Sequence, residues 1–322
     1  MNPLRSLFFL ILLLTLSLSV SAQQSLSPAD FVDPFIGTGG HGHTFPGATA
    51  PFGMVQLSPD TRLEGWDGCG GYHYSDEYIY GFSHTHLSGT GVPDYCDILF
   101  MPFTDEVIWN SGSDGKKGYR SHFGHGRESA NPGYYSVFLE DYGIEAELTA
   151  TTRTGIHRYT FPVGQKQSVM VDLAHRDKVT GSWIRVVSPY EIEGYRGSTG
   201  WARDQRVYFA AKFSKPFKAS GFALNDSVVN ANGFLEGVNL KSWFGFNENE
   251  GQSVTISVAI SAVSAENARM NLESETAGLD FNQIRQATAA SWNRELGKIE
   301  VKGGTKEQKT VFYTALYHTM VS

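Results

Sequence analysis

Hydrophobic and polar residues alternate with a period of two along several stretches between Tyr134 and Ala262. Ile144, Ala146, Leu148 and Ala150 fall on one side of an extended chain, as do Val254, Ile256, Val258 and Ile260, and Thr149 and Thr255 add β-branched neighbours. These stretches predict strands with one buried face. The breaks between them carry turn residues: Pro162-Val163-Gly164, Gly194-Tyr195-Arg196-Gly197 and Asn230-Ala231-Asn232-Gly233. The last holds an Asn-Gly pair suited to a tight hairpin. Strands do not alternate with helices here, and no internal repeat is present, so the expected fold class is all-β, a large antiparallel sandwich.

After Ala262 the period becomes that of helices. Asp280 with Gln283 three residues on predicts a capping box, followed by Phe281, Ile284, Thr288 and Trp292 on one helical face. A second start, Thr305 with Gln308, leads into a stripe of Phe312, Ala315, Leu316, Thr319 and Met320. Residues 263–304 therefore read as a helical linker and 305–322 as the start of another domain, cut within its first helix. The alternative is a C-terminal helix docked on the sandwich. At the other end, Arg5, the apolar run Leu7 to Leu16 and the small residues Val20-Ser21-Ala22 have the layout of a secretory signal over residues 1–22. That places the sandwich at 23–262 and predicts a periplasmic or secreted protein with no membrane span after cleavage. No Cys follows Ala22, which argues against a lipid anchor.

Composition narrows the ligand. The 322 residues include 35 Gly, 21 Phe, 15 Tyr and 6 Trp, while only 18% are charged. Such a chain is turn-rich, with aromatic surface to spare for a sugar. The net charge is −7 and no basic run interrupts it, so the footprint for nucleic acid or an anionic membrane is missing. Cys69 and Cys96 would close a loop of about 28 residues as a disulfide, worth about 3–4 kcal/mol in the chain-entropy model, or serve as two buried or pocket-lining thiols. Both readings stand.

Candidate chemistry concentrates in residues 33–102. Gly37, Gly39 and Gly42 match G-x-G-x-x-G by spacing, but Pro46 and Gly47 deny the helix that a dinucleotide site requires. Seven of the ten histidines lie between His41 and His125, and the pairs His41/His43 and His84/His86 would each put two imidazoles on one side of an extended chain. That spacing permits a zinc or copper site; hydrogen bonding within a polar loop layer is the simpler reading. In Gly65-Trp66-Asp67-Gly68-Cys69-Gly70-Gly71-Tyr72-His73-Tyr74, an indole and a carboxylate among glycines suit a sugar: the ring stacks on a C–H face and the carboxylate accepts from hydroxyls. Core packing of Trp66 and a solvated Asp67 are the bland alternatives. Neither Asp94 nor Asp97 has a partner that marks it as an acid or base, and nucleophile-elbow and Walker A motifs are absent.

Taken in order, Asp33-Pro34-Phe35-Ile36-Gly37-Thr38-Gly39, Phe45-Pro46-Gly47-Ala48, Pro51-Phe52-Gly53-Met54, Gly71-Tyr72-His73-Tyr74, Phe82 to Gly89 and Phe312-Tyr313-Thr314-Ala315-Leu316-Tyr317-His318 resemble glycoside hydrolase family 92, the exo-acting α-mannosidases. The resemblance implies a galactose-mutarotase-like β-supersandwich, then linker helices and the first helix of a truncated (α/α)6 barrel. It also implies a calcium-dependent, inverting enzyme acting on mannose-containing N-glycans, with its active site where the two domains meet. Inversion needs a general acid and a general base about 6.5–9.5 Å apart. In the family these carboxylates and the main calcium ligands belong to the barrel, so the resemblance assigns no catalytic residue to this chain. Trp66 matches an aromatic that the family sets beside the sugar, and Asp67, Cys69 and His73 come from the same motif as further substrate-binding candidates. A stand-alone carbohydrate-binding sandwich and a histidine-based metalloenzyme are the competing readings.

Overall fold

The structure, a computed structural model, describes residues 26–321. The expected secretory signal over 1–22 lies outside the described residues. Two antiparallel sheets face each other across one apolar core. The first has eight strands, in spatial order Ala48–Thr49, Gln56–Asp60, Gly81–Ser83, Leu99–Phe103, Gln167–Asp172, Leu240–Phe246, Phe217–Leu224 and Ser227–Val229. The second has nine, in order Phe234–Gly237, Lys178–Ser188, Glu191–Thr199, Gln205–Phe213, Ser253–Ser261, Thr154–Thr160, Ile144–Ala150, Tyr134–Leu139 and Glu128–Asn131. The all-β expectation holds, and the alternation explains it. Ile144, Ala146, Leu148 and Ala150 are fully buried, and so are Val254, Ile256, Val258 and Ile260. Both rows enter the core because side chains two apart share a face.

Two turn readings fail. Gly194-Tyr195-Arg196-Gly197 lies inside the strand Glu191–Thr199. Its glycines serve close packing instead: a Cβ on Gly194 would come within 2.4 Å of the Phe209 ring and 2.5 Å of the Trp183 carbonyl. The Asn232-Gly233 pair makes a bend, but the strands on either side, Ser227–Val229 and Phe234–Gly237, belong to different sheets and form no hairpin. The two-residue hairpin in this region is at Asn225-Asp226, with φ of 50° and 60°, joining Leu224 to Ser227 in register.

Three helices follow the sandwich: α1 (Ala265–Thr276), α2 (Phe281–Leu296) and α3 (Lys306–His318). Ser264 caps α1, and both predicted capping boxes form, Asp280 with Gln283 and Thr305 with Gln308. Phe281, Ile284, Thr288 and Trp292 are buried as one face of α2, and the Trp292 indole donates to the Thr49 carbonyl at 2.7 Å. The stripe of α3 is rotated from the expected one. Tyr313, Tyr317 and Met320 pack on Val32 and Trp292, whereas Phe312 and Ala315 face outward. The partner of α3 is the N-terminal segment around Phe31, whose ring stacks on Tyr313 with centroids 5.8 Å apart.

Candidate functional site

The strands Gln56–Asp60, Gly81–Ser83 and Leu99–Phe103 are neighbours, with Asp60 opposite Gly81 and Phe82 opposite Phe100. Their connections, residues 61–80 and 84–98, are therefore gathered into one loop layer. Beneath it lies a polar interior. Asp60 is fully buried, its Oδ1 2.9 Å from His86 Nε2 and its Oδ2 3.0 Å from His175 Nε2. Burial alone would push this carboxyl up, yet the two imidazoles outweigh it and hold it well below its ordinary value. His86 faces the Gln56 carbonyl through Nδ1 at 2.7 Å and a carboxylate through Nε2, so both nitrogens act as donors. Burial opposes that charge, but Cys96 and Asp60 raise the ring to about 10. Nearby, Arg196 crosses from the nine-stranded sheet to donate to the Asp97 carboxylate and to the carbonyls of Leu173 and His175, with both ionic partners fully buried.

The four candidate residues separate into two pairs. Trp66 is 61% exposed at the rim. His43 meets its ring edge-on with centroids 4.8 Å apart, and the ring lies so close to Gly91 that a Cβ there would come within 2.1 Å of it. Asp67 sits beside it, paired with His41 Nδ1 at 2.8 Å, and this hydrogen bond holds its carboxyl below the usual range. Cys69 and His73 lie underneath. The Cys69 thiol, raised by burial, donates to the Thr90 carbonyl at 2.9 Å, while the Cys69 carbonyl accepts from Arg176 at 2.6 Å. Both ring nitrogens of buried His73 are engaged, with Ser75 Oγ at 2.8 Å and the Gly40 carbonyl at 3.0 Å. The fold thus leaves Trp66 and Asp67 accessible at the surface and buries Cys69 and His73 beneath them. Both cysteines are free and buried.

The His-x-His spacings do not bring pairs of imidazoles together. His84 Nδ1 donates to the Ile98 carbonyl and its Nε2 meets His157, while His86 joins Asp60. A residue absent from the sequence reading is Trp201, 79% exposed on a loop that buried Asp94 fastens through the Ala202 amide at 2.8 Å. Asp94 follows Gly91 by three residues, which ties the support of one indole to the anchor of the other. The available signal was a Trp between Gly200 and Ala202, outside any alternation.

Calcium takes six to eight oxygen ligands. Among the described residues, the one grouping of three or more acidic, His or Cys side chains able to hold a metal is Asp60, His86 and Cys96, which supplies oxygen, nitrogen and sulfur. That set does not fit calcium. A cleft of about 430 Å³ lies under α1 and α2, lined by Phe213, Leu272 and Phe281, and includes none of the four candidates.

The profile of the glycosyl hydrolase family 92 N-terminal domain matches residues 31–261, and that of the family's catalytic domain matches residues 267–322. The chain belongs to glycoside hydrolase family 92. Among solved structures, it is similar to the family GH92 α-mannosidase BT3965 of Bacteroides thetaiotaomicron, with 38% identity and a TM-score of 0.87 over 92% of this chain and 42% of that one. A second structure of that protein holds mannoimidazole, and is matched at 38% identity with a TM-score of 0.86 over 92% and 40% of the two chains. The family GH92 inverting mannosidase BT2199 of the same organism is matched at 30% identity with a TM-score of 0.81, over 93% and 40%. A protein of Arthroderma benhamiae described as an uncharacterized secreted glycosidase is 28% identical over 96% of this chain and 44% of its own length. This family 92 chain therefore spans less than half the length of these relatives. Its catalytic-domain match begins within α1, so all three helices fall in or overlap it.

Proposed function

We propose that this chain supplies the sugar-facing part of the sandwich half of an exported, calcium-dependent, inverting exo-α-mannosidase that trims mannose-containing N-glycans. The observation that carries the reading is Trp66: an indole held by Gly91 and His43 yet 61% exposed, next to the ionised Asp67. An aromatic face with an adjacent carboxylate stacks on a pyranose and accepts from its hydroxyls. Mannoimidazole bound to one similar α-mannosidase supports a mannose-like ligand.

In this reading the chain's own residues bind and orient the sugar. His41 keeps Asp67 ionised as an acceptor, and Arg176, through the Cys69 carbonyl, fixes the base of the loop that presents Trp66. Calcium would be held by residues of the catalytic domain, since Asp60, His86 and Cys96 do not fit it. The acid and base that inversion needs are likewise assigned to the catalytic domain beyond residue 322. The experiment is release of mannose from an aryl α-mannoside with calcium present. The 322-residue chain is expected to release none and a protein carrying the whole catalytic domain to release it; release by the short chain would overturn the division of labour.

A further inference from the structure

We propose that Asp60, His86 and Cys96 form a buried site for one divalent transition metal of the zinc type, seated beneath the Trp66 loop. Their ligand atoms all lie within 4.8 Å of one another, and the three residues are 0–2% exposed. A carboxylate, an imidazole and a thiolate are a borderline-soft set that suits zinc and excludes the hard cations.

Three further observations point to a ligand. First, the space left by Gly71, whose φ is +99°, is bounded by these same residues: a Cβ there would meet Asp60 Oδ1 at 2.5 Å, His86 Cδ2 at 2.8 Å and Cys96 Sγ at 3.1 Å. Second, Asp60 Oδ2 and His175 Nε2 are buried without a hydrogen-bond partner; they lie 3.0 Å apart but are not aligned to bond each other. A metal in that space would bind through Asp60 Oδ1, while the unpartnered Oδ2 faces His175, which lies outside the 4.8 Å grouping. Third, the outer contacts are those that orient metal ligands. The His86 Nδ1–H donates to the Gln56 carbonyl and so points Nε2 into the cluster, and Arg176 Nη1 donates to Cys96 Sγ at 2.8 Å. Asp60 and Cys96 as anions neutralise a divalent ion, leaving Arg176 as the donor that stabilises the bound thiolate. Binding exchanges the Nε2 proton of His86 and the thiol proton of Cys96 for the metal, and both protons go to solvent.

Because Arg176 also holds the Cys69 carbonyl, the metal would brace the loop that carries Trp66. The inference stands apart from the mannosidase reading.

The test uses the purified chain, stripped with chelator, loaded with Zn²⁺ or Co²⁺ alone and then desalted. One equivalent of zinc is expected to be retained. The cobalt form should show a thiolate-to-cobalt charge-transfer band that persists in Cys69→Ser and disappears in Cys96→Ser. Since these are the chain's two cysteines, the wild-type and Cys69→Ser spectra decide the matter even if Cys96→Ser does not fold. Failure to retain zinc, a cobalt form without the band, or loss of the band in Cys69→Ser would each overturn the proposal.

Discussion

The apolar rows of the strands after Tyr134 and the loop layer of residues 33–102 both exclude water, but by opposite means. In the strands, rows such as Ile144 to Ala150 and Val254 to Ile260 exclude water with aliphatic carbon. In the loop layer the buried side chains include Asp60, His84, His86, Asp94 and Asp97, and the backbone passes through left-handed conformations at Tyr95, Cys96 and Ile98. Apolar packing is tolerant, since a lost methyl leaves its neighbours satisfied. A buried ionic network is not, because removing one partner strands the other in a medium that cannot solvate it. The candidate site therefore lies where geometry is fixed by directional bonds, with the apolar rows of the sheets behind it.

The largest expected effect tests that contrast directly. Arg196→Met leaves Asp97 buried without its cation and should cost about 3–5 kcal/mol in urea unfolding, whereas Ile256→Val should cost about 0.5–1.5 kcal/mol. Equal costs would erase the distinction. Next comes acid. Tyr159 donates to His157 Nδ1, His157 Nε2–H to His84 Nε2, and His84 Nδ1–H to the Ile98 carbonyl, a chain that requires both imidazoles neutral. Burial lowers His157 well below its ordinary value and His84 to about 4. The unfolded chain binds protons near pH 6.5 that the folded chain refuses, so stability should fall as pH drops from about 6.5 toward 4. His157→Phe should flatten that slope in a series of thermal melts, whatever it costs at neutral pH; an unchanged slope would break the argument. The smallest effect is at the rim. Trp66→Ala should change stability by no more than about 0.5 kcal/mol while abolishing binding of an α-mannoside followed by calorimetry in the calcium-loaded protein with its catalytic domain. Retained binding would remove Trp66 from the site.

The same contrast explains what could be read from the residues. Period-two alternation is a local signal, and it marked the strands because their burial is apolar and one-sided. Capping boxes are local too, and both formed. Arg196 was obscured by Gly194 and Gly197, which look like punctuation but let Phe209 and Trp183 approach the first and Tyr195 and Thr180 the second. Asp60, His86 and Cys96 lie far apart in sequence, and only the pairing of Gln56–Asp60 with Gly81–Ser83, and of that strand with Leu99–Phe103, brings them together. The turn of α3 was misjudged because its stripe was read without its partner, the segment around Phe31 and Val32. The motif marked Trp66, Asp67, Cys69 and His73 alike; that Trp66 and Asp67 lie at the surface and Cys69 and His73 beneath them was not legible, since exposure depends on how the loop folds over the sheet.

The outermost strands carry a colloidal consequence. Ala48–Thr49, Ser227–Val229, Phe234–Gly237 and Glu128–Asn131 end the two sheets with only two, three, four and four residues. The first is also closed off by the Trp292 indole on the Thr49 carbonyl. Rows of unpaired amides and carbonyls this short give a second molecule little to add a strand to. Among the described residues, the seventeen strands of the two large sheets thus end in edges that invite little pairing, although neither sheet closes into a barrel.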